Sequence, residues 1–205
     1  MTLDRPLLLF VVGPPAVGKM TVGAAIARRT GLRLFHNHQT IDLVLNYFPF
    51  GSPPYSRLVG EFRRRIAEEV AASDLPGLIF TYVWAFDQPT DQAFVESMAE
   101  IFRTRGGRVL FVELEAGQAI RLERNETPFR LAEKPLKRDL AASRARLLAD
   151  DSAYQLNSAG RFHDRSDYLR IDNTDLSAEE VASRVIAHFG IPLAQPSAGP
   201  GGRDE

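Results

Sequence analysis

The sequence predicts an α/β domain in which helices cover both faces of a parallel β-sheet, and three observations point there. Leu7-Leu-Leu-Phe-Val-Val12 is an unbroken apolar run, the pattern of a strand buried on both faces, and such strands belong to parallel sheets packed between helices. Strand-like and helix-like segments then alternate five times along the chain. Finally, 205 residues with 44% hydrophobic and 25% charged content are ordinary for a globular chain, and on a prior of ~150 residues per domain they describe one compact domain, expected over 1–192.

After the first strand, Gly13 to Lys19 leads into a helix from Met20 to Arg29, with Val22 and Ile26 on one face. Gly31 suits the left-handed conformation just past a helix C-terminus. Leu32 to Phe35 reads as a short second strand. Leu58, Phe62, Ile66 and Val70 recur at every fourth position, which predicts a helix over Arg57–Ser73 with that stripe turned inward, before Pro76-Gly77 breaks the chain. Leu78 to Trp84 is the third strand, and a helix from about Thr90 to Thr104 turns Phe94, Met98, Ile101 and Phe102 inward. Gly106-Gly107 stops it, and Val109 to Leu114 is the fourth strand.

Gly117–Glu126 and Leu136–Ala149 read as helices, separated by a charged stretch around Pro128 and Lys134-Pro135. Tyr168 to Ile171 is the fifth strand. Ser177 with Glu180 three residues on forms a capping box, opening a last helix with Val181, Val185, Ile186 and Phe189 inward and Gly190 and Pro192 at its close. The tail, 193–205, is rich in Pro, Ser, Gly and charge and is expected to be disordered.

Composition narrows the function. Lys plus Arg is 25 and Asp plus Glu is 26, a formal net charge of -1, so there is no polybasic footprint for nucleic acid or anionic lipid. Cysteine is absent, which excludes disulfides, thiolate catalysis and Cys-built metal centres. No apolar run approaches the ~20 residues that span a bilayer, and Met1-Thr-Leu-Asp-Arg-Pro6 does not read as a signal peptide. The expectation is a soluble cytoplasmic protein without nucleic-acid or membrane partners, a monomer or homodimer.

Gly13-Pro14-Pro15-Ala16-Val17-Gly18-Lys19 matches the phosphate-binding loop G-x-x-x-x-G-K, with the strand before it and the helix after it that the motif requires. The glycines let the backbone curl so that successive N–H groups face a phosphate chain, the helix N-terminus adds a favourable dipole, and Lys19 supplies a mobile positive charge. The motif's hydroxyl position is Met20, whose thioether is a poor ligand for a hard cation, and the hydroxyl comes one residue later at Thr21. Thr21 is therefore the candidate metal ligand, the ion otherwise being held through water and phosphates.

On these residues the chain resembles the small-molecule P-loop kinases, the group of shikimate kinase, gluconate kinase, adenylate kinase and chloramphenicol phosphotransferase, over about residues 6 to 190. The resemblance implies a P-loop NTPase three-layer sandwich: a five-stranded parallel sheet in order 2-3-1-4-5, helices on both faces, and a lid after strand 4, here at about 125–138. It implies ATP and Mg²⁺, with the nucleotide on residues 13–21. Arg124 and Arg130 are similar to the family's two arginines past the fourth strand, one packing on adenine and one reaching the transferring phosphates, where charge must be neutralised away from water. Asn173 lies in the region that faces adenine. Alternatively, Arg121, Arg124 and Arg130 are solvated surface charges.

On the acceptor side, His36-Asn-His38-Gln-Thr-Ile41-Asp42 stands where shikimate kinases carry Asp-x-Asp-x-x-Ile-Glu. Imidazole can take a proton from a hydroxyl but does not replace a carboxylate in a magnesium shell, so this chain is not expected to be a true shikimate kinase. Phe62-Arg63 is similar to the family's Phe-Arg pair, whose arginine holds a substrate carboxylate, although Arg63 to Arg65 also fit the polar face of an amphipathic helix. Val83-Trp-Ala-Phe-Asp87 has the form of a Walker B strand ending, making Asp87 either a catalytic acid or a helix cap. Tyr47-Phe48-Pro-Phe50 and Pro53-Pro-Tyr55 form an aromatic loop suited to an apolar pocket or to packing under the sheet. The expectation is an ATP-dependent phosphotransferase acting on a small-molecule hydroxyl, with Lys19, His38, Asp87 and Arg130 as catalytic residues and His36 and Arg63 binding the acceptor. Its rivals are a nucleotide-binding regulatory module with little turnover and a nucleoside or nucleotide kinase.

Overall fold

Every residue of the first strand, β1 (Leu7–Val12), is wholly shielded from solvent, and its side chains divide by the two-residue period of a strand. Leu7, Leu9 and Val11 point to one core, with Val22 and Ile26 of helix α1 (Lys19–Thr30) and Val181 and Val185 of the last helix. Leu8, Phe10 and Val12 point to the other, with Ala67, Val70, Met98 and Phe102. In the computed structural model, which describes residues 5–126 and 140–194, β1 is thus the centre of a three-layer sandwich. The lid expected at about 125–138 falls almost entirely outside the described residues, Arg130 with it, as does the tail from 195.

The sheet has five parallel strands in the order β2-β3-β1-β4-β5, the order the resemblance implied. The others are β2 (Arg33–His36), β3 (Gly77–Tyr82), β4 (Arg108–Glu115) and β5 (Tyr168–Asp172). The helices after α1 are α2 (His38–Leu45), α3 (Pro53–Ala72), α4 (Pro89–Arg103), α5 (Gln118–Asn125), α6 (Leu140–Ala153) and α7 (Ala178–Phe189). The capping box forms as read: the Glu180 carboxylate accepts from the Ser177 N–H at 2.8 Å and the Ser177 hydroxyl accepts from the Glu180 N–H at 3.2 Å.

Three local readings change. The segment after β2 is helical from His38, where the sequence showed a loop. Helix α3 starts at Pro53 instead of Arg57, because a proline costs little in a helix's first turn, where its missing N–H has no partner to lose. Its buried face is Tyr55, Val59, Arg63, Ala67, Val70 and Ala71, one residue round from the expected stripe, leaving Phe62 and Ile66 39% and 38% exposed. The period was right and the face wrong, since the small Ala67 and Ala71 are what let α3 approach the sheet, and a stripe of large residues hides that choice.

β4 carries a charge into the core. Glu113 has 0% exposure, and its carboxylate accepts from the Asn157 amide (2.9 Å), the Ser158 N–H (2.7 Å), the Ser158 hydroxyl (2.6 Å) and the Tyr168 hydroxyl (2.8 Å). Burial and this neighbouring carboxylate push the Tyr168 phenol well above its ordinary value, so it stays a donor. Four donors compensate the lost hydration and tie the 157–158 segment to the sheet. Glu113→Ala, which leaves those donors buried and unanswered, is expected to cost about 3 kcal/mol and lower the thermal midpoint by roughly 6–12 °C, read by calorimetry.

Candidate functional site

The turn from β1 into α1 is possible because of two glycines. Gly13 has φ 134°, and a Cβ there would lie 2.4 Å from the Leu114 carbonyl oxygen; Gly18 caps α1 with φ 108°. Ala16 also takes a left-handed φ, 65°, a conformation costing a side-chain-bearing residue roughly 1–2 kcal/mol. Pro14 and Pro15 have no N–H and the Val17 N–H donates back to the Pro14 carbonyl (3.4 Å), so the donors the loop can offer are the amides of Ala16 and of Gly18 to Thr21. The Lys19 ammonium folds over the loop, donating to the carbonyls of Gly13 (2.6 Å) and Pro14 (2.7 Å).

A polar clamp holds the loop from behind. The Val17 carbonyl accepts from the Asn173 amide (2.8 Å) and from Arg124 (3.2 Å), and Arg124 also donates to the carbonyls of Asn173 (2.8 Å) and Thr174 (2.9 Å). Arg121 donates to the Pro15 carbonyl (3.3 Å) and makes a two-pronged contact with Asp151 on α6 at 3.0 and 2.6 Å. The solvated alternative for the first two arginines is therefore set aside: Arg121 is buried and Arg124 is committed to the loop. Arg130 lies outside the described residues.

A cavity of about 890 Å³ opens at the carboxyl ends of the strands. The loop residues Pro15, Ala16, Gly18, Lys19, Met20 and Thr21, with Arg124 and Asn173, form one end. The other end holds His36, the last residue of β2, and His38, in the first turn of α2, whose Nδ1 lies 4.0 Å from the Asp42 carboxylate one turn on.

Arg63 is only 8% exposed and does not line the cavity. Its guanidinium donates to the Thr40 hydroxyl (3.2 Å) and the Asn37 carbonyl (3.3 Å) and lies 5.7–6.0 Å from the rings of Phe80, Tyr82 and Phe94. Burial lowers it from the ordinary arginine value, an effect opposed by Tyr82, Tyr55 and Asp91. The expected acceptor-binding arginine is thus a residue that sets the start of α2, and with it both histidines.

Asp87 is likewise displaced. β3 ends at Tyr82, and Trp84 and Phe86 leave the sheet to stack on each other at 4.5 Å and pack against Phe162. Asp87 is then exposed, outside the cavity, and accepts from the Gln155 N–H at 3.1 Å. The carboxylate that lines the cavity there is Asp91, in the first turn of α4, accepting from the Tyr82 hydroxyl (3.0 Å) and the Ala85 N–H (2.9 Å). Asp91 was missed, as were Arg146, Asp150 and Tyr154 of α6 and its C-terminal edge. An acid in a helix's first turn was the available signal for Asp91. The α6 residues carried none beyond the four-residue spacing of an ordinary solvated pair.

Among the described residues no group of three or more His, Asp or Glu side chains is arranged to hold a metal, and no helix is long and apolar enough to cross a membrane. No protein-family model and no curated protein matches the chain. Solved structures do. The tunicamycin resistance protein of Deinococcus radiodurans aligns over 94% of this chain and 100% of its own at 21% identity and TM-score 0.52. The APS kinase of Mycobacterium tuberculosis, in complex with AMPPNP and APS, aligns over 91% and 98% at 18% identity and TM-score 0.58. The shikimate kinase of Acinetobacter baumannii, in complex with shikimate, aligns over 90% and 92% at 17% identity and TM-score 0.51. The chain has the fold of the small-molecule P-loop kinases.

The Arg121–Asp151 pair links the loop to α6. Burial pushes the Asp151 carboxyl up, but hydrogen bonds from Arg121 and Gln118 and the Arg121 charge outweigh it and hold the group below its ordinary value. Its contribution is therefore complete above the ordinary carboxylate range and is lost as pH falls through the folded value. Asp151→Ala is expected to cost about 3 kcal/mol at neutral pH. In urea titrations the gap between variant and parent should close as pH falls below the ordinary carboxylate range; a gap that persists at the acid end counts against the pair.

Proposed function

We propose that the protein is an ATP-dependent phosphotransferase that moves the γ-phosphoryl group to a hydroxyl of a small molecule. The observation that carries this reading is one cavity of about 890 Å³ whose two ends are a phosphate-type loop with Lys19 and the paired His38 and Asp42. A volume of that size accommodates a nucleotide and a small acceptor together. Two structures of the same fold were solved with ligands of these kinds, one with AMPPNP and APS and one with shikimate, which supports the reading.

In this reading the amides of Ala16 and of Gly18 to Thr21 and the Lys19 ammonium bind the phosphate chain, and Asn173 and Arg124 hold the loop in shape. His38 takes the proton of the acceptor hydroxyl, Asp42 steadies the imidazolium, the acceptor oxygen bonds to the γ-phosphorus, and the bond to the β-phosphate oxygen breaks to release ADP. Little base strength is needed, because positioning and charge stabilisation carry most of phosphoryl transfer. The residues present fit a magnesium–nucleotide complex: the Thr21 hydroxyl lines the cavity beside Lys19, and the ion, held by it and by phosphate oxygens, would supply neutralising charge.

A binding module without turnover would use the same loop, and Met20 in the hydroxyl position is the observation in its favour. Lys19→Met is expected to abolish the rise in thermal midpoint that ADP with Mg²⁺ produces, about 2.7 kcal/mol of stabilisation at ~100 times Kd. His38→Ala should keep that rise while lowering kcat by roughly 10²–10⁴-fold. Acceptor-independent ATP loss, unchanged in His38→Ala, would leave the binding module as the better reading.

A further inference from the structure

We propose, on the basis of the phosphotransfer reading, that the acceptor is an alcohol with an apolar body and no anionic group. Among the described residues that line the cavity outside the loop and its clamp there are three carboxylates, Asp42, Asp91 and Asp150, and one guanidinium, that of Arg146. That guanidinium is already engaged, 3.7 Å from Asp150 and 4.9 Å above the ring of Phe50. Arg63, the cation that an acidic acceptor would need, does not line the cavity: it lies in the aromatic box of Phe80, Tyr82 and Phe94, with two of its N–H groups donating to Thr40 and Asn37. An anionic acceptor would then be desolvated beside like charges and the nucleotide's own phosphates, with Arg146, already facing Asp150, as the one described cation of the lining outside the loop and its clamp.

The remaining lining is mostly apolar, with Asn37, Thr81, Gln88 and Thr90 as its neutral polar members. Ile41, Leu45, Val83 and Leu156 line the cavity, as do two exposed rings, Phe50 at 59% and Tyr154 at 44%. Exposed aromatic side chains at the mouth of a cavity are suited to covering an apolar body, and acidic neighbours tolerate an amine on it. The hydroxyl to be phosphorylated would sit at His38, between this surface and the loop.

The test uses matched probes on the full chain: 2-phenylpropane-1,3-diol, 3-amino-2-phenylpropan-1-ol and 3-hydroxy-2-phenylpropanoate, with larger aryl and alkyl skeletons supplied in the same neutral, amine-bearing and carboxylate-bearing versions. Thermal midpoints are measured on top of ADP and Mg²⁺, and ATP consumption follows for each responder. Neutral or amine-bearing members should raise the midpoint and be turned over with kcat/KM at least about tenfold above the matching acid. Phe50→Ser should raise the acceptor KM by about tenfold while the ADP response stays unchanged, and Phe50→Tyr should restore the parent value. An acid that responds as well as its partners overturns the inference, as does silence from every neutral and amine-bearing member while ADP still responds, and both results leave phosphotransfer standing. Absence of the ADP response in the unaltered protein defeats phosphotransfer itself and takes this inference with it.

Discussion

The carbonyl oxygen of Val17 accepts hydrogen bonds from Asn173, after β5, and from Arg124, on α5, and the organisation of the site depends on that shared acceptor. A loop with prolines at 14 and 15, glycines at 13 and 18 and a left-handed Ala16 has no ladder partner to hold its shape. Left to itself it would lose its convergent amides to chain entropy and strain. Arg121, reaching from Pro15 to Asp151, extends the clamp to α6. Two arginines thus hold the loop through its carbonyls and take none of its amides. Preorganisation of this kind is what lets backbone dipoles act on a polyphosphate without first being ordered by it.

The opposite wall follows the same logic with a different arginine. Arg63 lies on the inner face of α3, where a guanidinium must be desolvated, and it is accommodated by three aromatic rings and two oxygens of the α2 start instead of by a carboxylate. Because one of those oxygens is the carbonyl of Asn37, between His36 and His38, the buried cation sets the position of both imidazoles. Each end of the cavity is thereby supported by a charged residue that does not itself face the acceptor.

Aromatic packing decided which acid reaches the chemistry. The chain after β3 could have run straight, placing Asp87 at the strand tip, but Trp84 packs on Phe111 of β4 and both Trp84 and Phe86 pack on Phe162. The turn this requires carries Asp87 to the surface and brings the first turn of α4, with Asp91, to the cavity.

By itself the sequence determined the five strands, the phosphate-type loop and the capping box, because each rests on a short-range rule: period, glycine placement or a fixed offset between cap residues, whereas the strand order came from the resemblance. It also located the loop residues and both histidines, which follow directly on strand ends. Which face α3 buries, where β3 leaves the sheet, and whether Arg63, Arg121 and Arg124 are solvated or structural were decided by the tertiary structure. Those outcomes turn on competition between distant surfaces: small alanines against large aliphatics, a tryptophan's contacts against a straight strand, and a buried arginine against the oxygens available to receive it. A local pattern carries no term for a partner a hundred residues away, and Val17 and Arg124 are such partners.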